Sequence, residues 1–188
     1  TKIHQYFIDI VSFNGNNAFT TTKSGSNLFE GGQGNVGDIN LNYIAALNHA
    51  GIPTNPVILS KRQNGTLNPI MPDYAQFNYV DALSQINGRD VLSDATSKIP
   101  FGNLPVKCLQ DRAWIISKAD QGWINFKENC VGKQIVQTEI TQTKENIFYI
   151  SKINKQNYLA FEDVINIDTN GDEDYLYSIE VEKDLFLD

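Results

Sequence analysis

Asn35-Val36-Gly37-Asp38-Ile39-Asn40-Leu41-Asn42-Tyr43-Ile44-Ala45-Ala46-Leu47-Asn48-His49-Ala50-Gly51-Ile52-Pro53 is the stretch whose reading decides the fold. Ile39, Tyr43, Ala46, Leu47 and Ala50 recur at helical intervals and share one face, which Ile44 broadens. The spacing predicts a helix over 36–50. Asn35 is placed to accept hydrogen bonds from its first free amides, and Asp38 lies at its positive end. Gly51 stops it and Pro53 prevents its return.

Upstream, Ile3, Phe7, Ile10 and Val11 predict a short amphipathic helix within 2–13, with His4 on its solvent side. Asn14 to Gly34 is rich in Gly, Asn, Thr and Ser and reads as an unusually long loop. Downstream come strands. Pro56–Ser60 is a short apolar run followed by a turn at Asn64-Gly65. Phe77–Leu83 is extended, and Asn87-Gly88 is a strong signal for a two-residue hairpin turn. Arg89–Ser93 returns antiparallel, and Ala113–Ser117 and Gly122–Phe126 are further strand candidates. A helix followed by antiparallel strands predicts an α+β domain over 1–127.

After Cys130 the texture changes. Gln134–Thr143, Asn146–Ile153, Tyr158–Asp168 and Tyr175–Val181 are β-branched, aromatic or alternating, with polar turns between them. They predict a small all-β appendage over 128–188, of a size at which independent stability is marginal.

The chain of 188 residues has 41% hydrophobic and 20% charged residues, enough apolar material for a core. Its formal net charge of -7 makes nucleic acid and anionic membrane surfaces poor partners. No apolar run approaches the roughly 20 residues of a membrane-spanning helix, and no signal peptide is visible. Because the chain starts almost directly in a helical pattern, it reads as part of a longer polypeptide.

The motifs, taken in order, resemble a known family. Gly34-Asn35-Val36-Gly37-Asp38 opens the best helix. Phe77-Asn78-Tyr79-Val80 lies on a strand, and Val91-Leu92-Ser93-Asp94-Ala95-Thr96 follows the hairpin. With Asn55–Gly65 and Leu104–Leu109 between and after them, they resemble the core of the transglutaminase-like superfamily, within the papain-like architecture. The likeness is to a bacterial branch of large extracytoplasmic proteins and covers roughly residues 1–126. It implies a helix packed on an antiparallel sheet and a periplasmic or extracellular location. In that family a Cys at the helix start, a His on the strand and an Asp on the next strand form the catalytic triad.

Each part has a physical role. The helix dipole favours a thiolate, an imidazole accepts and returns the proton, and the carboxylate orients the imidazole. Here Val36 stands at the Cys position and Tyr79 at the His position; only Asp94 remains. Valine has no ionisable atom, and a phenol with a reference pKa of about 10 is a poor base at neutral pH. The resemblance therefore implies a domain with no catalytic residues and no cofactor. It would bind or scaffold a peptide, protein or glycan at a shallow groove near Val36, Tyr79 and Asp94. The alternatives are a cysteine-type hydrolase or acyltransferase with a rearranged site, using an exposed Cys108 or an acid pair, and a purely architectural domain.

Other candidates have plainer readings. Asp94 on its own serves a turn or hydrogen-bonds Tyr79. Cys108 reads as a buried thiol or a disulfide partner of Cys130. His49 complements the helix C-terminus. Asp168, Asn170 and Asp172 are calcium-ligand candidates, but the glycine of the loop is misplaced, so an acidic hairpin turn is the simpler account. Trp114 and Trp123 read as core rather than as a carbohydrate platform.

Overall fold

The computed structural model describes residues 1–70, 73–119, 121–125, 132–144, 147–157 and 160. The chain divides into two compact units, Thr1–Asn129 and Cys130–Asp188. The first is a mixed α/β fold of three helices and an antiparallel sheet. The expected strands over Tyr158–Asp168 and Tyr175–Val181 lie outside the described residues, as do the calcium candidates Asp168, Asn170 and Asp172.

Helix α1 spans Lys2–Ile10, with the Thr1 hydroxyl accepting from the His4 amide. Strand β1, Ser12–Phe13, pairs in parallel with β2, Gln33–Gly34. Between them lies α2, Gly25–Gly31, so the stretch read as an uninterrupted loop contains a helix. Its glycines at both ends and lack of a repeating apolar face hid it. Ser24 caps its start, and Gly32 closes it with a positive φ of 63°.

Helix α3, Val36–His49, is the predicted central helix. Strands β3 (Thr54–Leu59), β4 (Tyr79–Ile86), β5 (Arg89–Ser93), β6 (Arg112–Ile115) and β7 (Gly122–Asn125) form one antiparallel sheet in the order β5-β4-β3-β6-β7. The β4–β5 turn puts Asn87 at φ 52° and Gly88 at φ 74°, the left-handed pair that a tight hairpin needs. Phe7, Val11, Leu28, Ile39, Tyr43, Leu47 and Ala82 make the main core, binding α1 and α2 to α3 and α3 to the sheet. Phe7 stands at the centre, edge-on to Tyr43 at 5.5 Å and to Phe29 at 5.2 Å.

Trp114 and Trp123 face each other across β6 and β7, 5.1 Å apart. Phe77 stacks on Trp123 at 6.4 Å and the Arg112 guanidinium lies 6.0 Å from its ring, so these rings are used in packing. In the second unit, β8 (Gly132–Gln142) and β9 (Ile147–Asn157) form a two-stranded antiparallel ribbon.

Candidate functional site

Two polar clusters meet the positions singled out in the sequence. One encloses the start of α3. Asn35 Oδ1 accepts from the Asp38 amide at 2.6 Å, and Asp38 Oδ2 accepts from the Asn35 amide at 3.1 Å, a reciprocal cap. The next two amides are also taken: Val36 N–H donates to the Asn16 carbonyl at 3.2 Å and Gly37 N–H to the Ala18 carbonyl at 2.8 Å. A strap over 14–23 thus lies across the helix start. Its asparagines shape it, with Asn14 Oδ1 accepting from the Asn16 amide and Asn16 Oδ1 from the Ala18 amide.

Asp38 fastens the far end of the strap. Its Oδ1 accepts from the Thr22 amide at 2.6 Å, the Lys23 amide at 2.8 Å and the Thr21 hydroxyl at 3.0 Å. Burial raises this carboxyl, but the amides of Thr22, Asn35 and Lys23 and the Thr21 hydroxyl together outweigh it and hold it below the ordinary range. Gly37 makes the approach possible: a Cβ there would stand 2.7 Å from the Phe19 carbonyl carbon and closer still to Thr20.

The second cluster centres on Asp94, just past β5. Its Oδ2 accepts from the Tyr79 hydroxyl at 3.0 Å and from Asn40 Nδ2 at 2.8 Å; its Oδ1 accepts from the Thr96 amide and hydroxyl. Asn40 also donates to the Val80 carbonyl and accepts from the Ala95 amide. His4 Nε2 meets the Asp94 carbonyl oxygen at 2.8 Å. His4 is therefore buried rather than on the solvent side, because α1 turns its His4–Phe7–Val11 edge inward and leaves Ile10 exposed. Burial pushes the His4 imidazole below its usual value, against the opposing hydrogen bond. This hub ties α1, α3, β4 and the segment after β5 together.

Tyr79 and Asp94 thus touch, as their places in the sequence suggested. Val36 lies one helical turn before Asn40 on the same face of α3. All three are fully buried. The helix-start amides beside them are taken by the strap and the reciprocal cap. A surface cleft of about 180 Å³ is lined by Thr66, Leu67, Gln110, Asp111 and Arg112, none of them in the hub.

Sequence reasoning missed Asp81. The pair Ala82–Ser93, carried one residue further along the antiparallel register, sets Asp81 opposite Asp94. Asp81 is fully buried and neither carboxyl oxygen has a hydrogen-bond partner. Burial first, and the adjacent charge of Asp94 second, push its carboxyl well above the usual range. The available signal was the alternation of β4, which sets Asp81 between Tyr79 and Leu83 on a strand buried on both faces.

Burial first, and the neighbouring Asp94 carboxylate second, push the Tyr79 phenol well above its ordinary value. Cys108 is a free, fully buried thiol, raised chiefly by burial. The exposed, reactive Cys108 that a rearranged enzyme would need is not what the fold provides. The Lys107 ammonium stands over the rings of Phe13 and Tyr79, at 4.9 and 5.2 Å. His49 is exposed in the last turn of α3. Among the described residues no group of three or more His, Cys, Asp or Glu is placed to hold a metal ion, and no helix is long and apolar enough to cross a membrane.

The chain is thus a mixed α/β protein whose central helix begins under a strap and is anchored by a buried polar hub. No protein-family model, curated protein or solved structure matches it.

Proposed function

We propose that residues 1–127 form a transglutaminase-like domain without catalytic residues, acting as a binding or scaffolding module in a bacterial periplasmic or extracellular protein. The observation that carries this reading is the Tyr79–Asp94 hydrogen bond at 3.0 Å, with Tyr79 at the position the resemblance gives to the imidazole. The order of a capped helix start, a strand and a second strand supports it, as does valine at the first position of α3. Because the strap covers the helix start, the module holds its peptide, protein or glycan partner on an outer surface rather than in the family's groove.

The test is an electrophilic acyl-donor probe on the full chain, followed by intact-mass measurement and peptide mapping. The expected result is no adduct in the native state. A stoichiometric adduct at any residue of the hub, formed before unfolding, overturns the proposal.

A further inference from the structure

The cleft of about 180 Å³ lies between the turn that follows β3 and the approach to β6, with Thr66 and Leu67 on one side and Gln110, Asp111 and Arg112 on the other. Its walls are held from behind. The Gly65 carbonyl accepts from the Ser60 hydroxyl at 2.8 Å and from Gln110 Nε2 at 3.3 Å, which fixes the direction of the Gln110 carboxamide. The Arg112 guanidinium rests 6.0 Å from the Trp123 ring, and that ring stacks on Phe77. A planar fork held in this way loses little freedom when it binds. Leu67, almost fully buried, supplies the apolar part of the lining.

We propose that this cleft binds a neutral sugar, one pyranose ring of a glycan. The assignment rests on the reading of the domain as a binding module and names its partner class. Size is the first reason: the cleft is smaller than the roughly 300 Å³ at which drug-sized pockets begin, and suits a single six-membered ring. Chemistry is the second. A hydroxyl, a carboxamide, a carboxylate and a guanidinium stand around one leucine. Closely spaced ligand hydroxyls, which both donate and accept, can pair with all four. An apolar peptide side chain would leave them unpaired. Charge is the third. Asp111 and Arg112 carry opposite signs, so the lining is formally neutral and does not favour an anion.

Saturation-transfer NMR on the full chain tests this with maltotetraose, cellotetraose, mannotetraose and chitotetraose. Tetragalacturonate serves as the anionic counterpart and tetra-alanine as the peptide. The expected result is transfer to the ring protons of at least one neutral sugar and to neither of the other two. Thr66→Val removes an exposed hydroxyl, and Arg112→Lys keeps the charge but loses the planar fork. Each should weaken binding by about tenfold, with folding checked by thermal melt. Gln5→Ala, exposed on α1, should leave binding unchanged. The assignment is overturned by no transfer to any neutral sugar, by tighter binding of tetragalacturonate or tetra-alanine, by an affinity that neither cleft variant lowers, or by loss of binding in Gln5→Ala. The two proposals fail separately: a hub adduct with the acyl-donor probe overturns the non-catalytic reading, whereas a blank sugar titration overturns the cleft assignment alone.

Discussion

Asp38 and Asp81 are both cut off from water, and the fold treats them in opposite ways. Around Asp38, at the start of α3, backbone amides and hydroxyls from Thr21, Thr22, Lys23 and Asn35 converge on one carboxylate. Around Asp81, inside β4, no donor reaches either oxygen, and the neighbouring group is another carboxyl. Hydrogen bonds to the charged form offset the loss of hydration; without them the group keeps its proton. Two identical side chains in one small domain thus contribute to stability with opposite dependence on pH.

The largest expected effect tests the first half of that contrast. Asp38→Ala removes the cap and leaves several buried amides unpaired, so it should cost about 3–5 kcal/mol, read from the urea midpoint. The pH dependence has a definite sign. The folded carboxyl lies below its unfolded value of about 3.9, so its contribution is present above that value and lost as pH falls through the folded one. The acid limb of the stability curve should therefore be shallower in Asp38→Ala. An unchanged limb would show that Asp38 is not the group responsible.

The second half predicts a gain. Asp81→Leu exchanges an unpartnered buried carboxyl for an apolar side chain and should stabilise the fold by about 1–3 kcal/mol. The folded Asp81 carboxyl lies above its unfolded value, so its contribution is complete below about pH 4 and declines as pH rises through the raised folded value. Asp81→Asn, which keeps the shape and removes the titration, should therefore outperform the parent by a margin that widens with pH. Thermal melts from pH 5 to 9 would read that margin. A constant margin would contradict the upward shift of the Asp81 carboxyl.

The smallest effect sharpens the boundary between the two regions. Tyr79→Phe removes the phenol from Asp94 but leaves that carboxylate the Asn40 amide and the Thr96 donors. A cost of about 1–2 kcal/mol is expected in chemical denaturation. A loss as large as that of Asp38→Ala would mean that the hub, rather than the strap, dominates the stability of this end of the helix.

Much of this was legible in the sequence where local chemistry is strong. Asn35, Asp38 and Gly51 marked the ends of α3, and Asn87-Gly88 marked the β4–β5 turn, because caps and left-handed turns rest on the residue itself. The fate of His4 was not legible. Its burial depends on the carbonyl of Asp94, ninety positions away, and a polar residue between Ile3 and Phe7 reads as solvent-facing until that partner is known. Asp81 was missed because a carboxyl on a strand ordinarily marks an outer face, whereas β4 has neighbours on both edges and is covered on both sides. The strap was read as a loop, correctly in composition; its purpose emerges only from where its carbonyls point. The β8–β9 ribbon exposes apolar side chains on both faces, among them Ile140 and Ile150, and alternation alone does not say what lies against them.

Gly37 has a consequence for any attempt to make the start of α3 reactive. A nucleophile installed at position 36 would find no free amide to steady a developing negative charge, since the carbonyls of Asn16 and Ala18 already hold those hydrogens. Building a reactive helix start would mean evicting a stretch of the chain's own backbone, which Asp38 anchors and which the missing side chain at position 37 admits. With the strap in place, no single substitution at Val36 or Tyr79 would by itself free the helix-start amides.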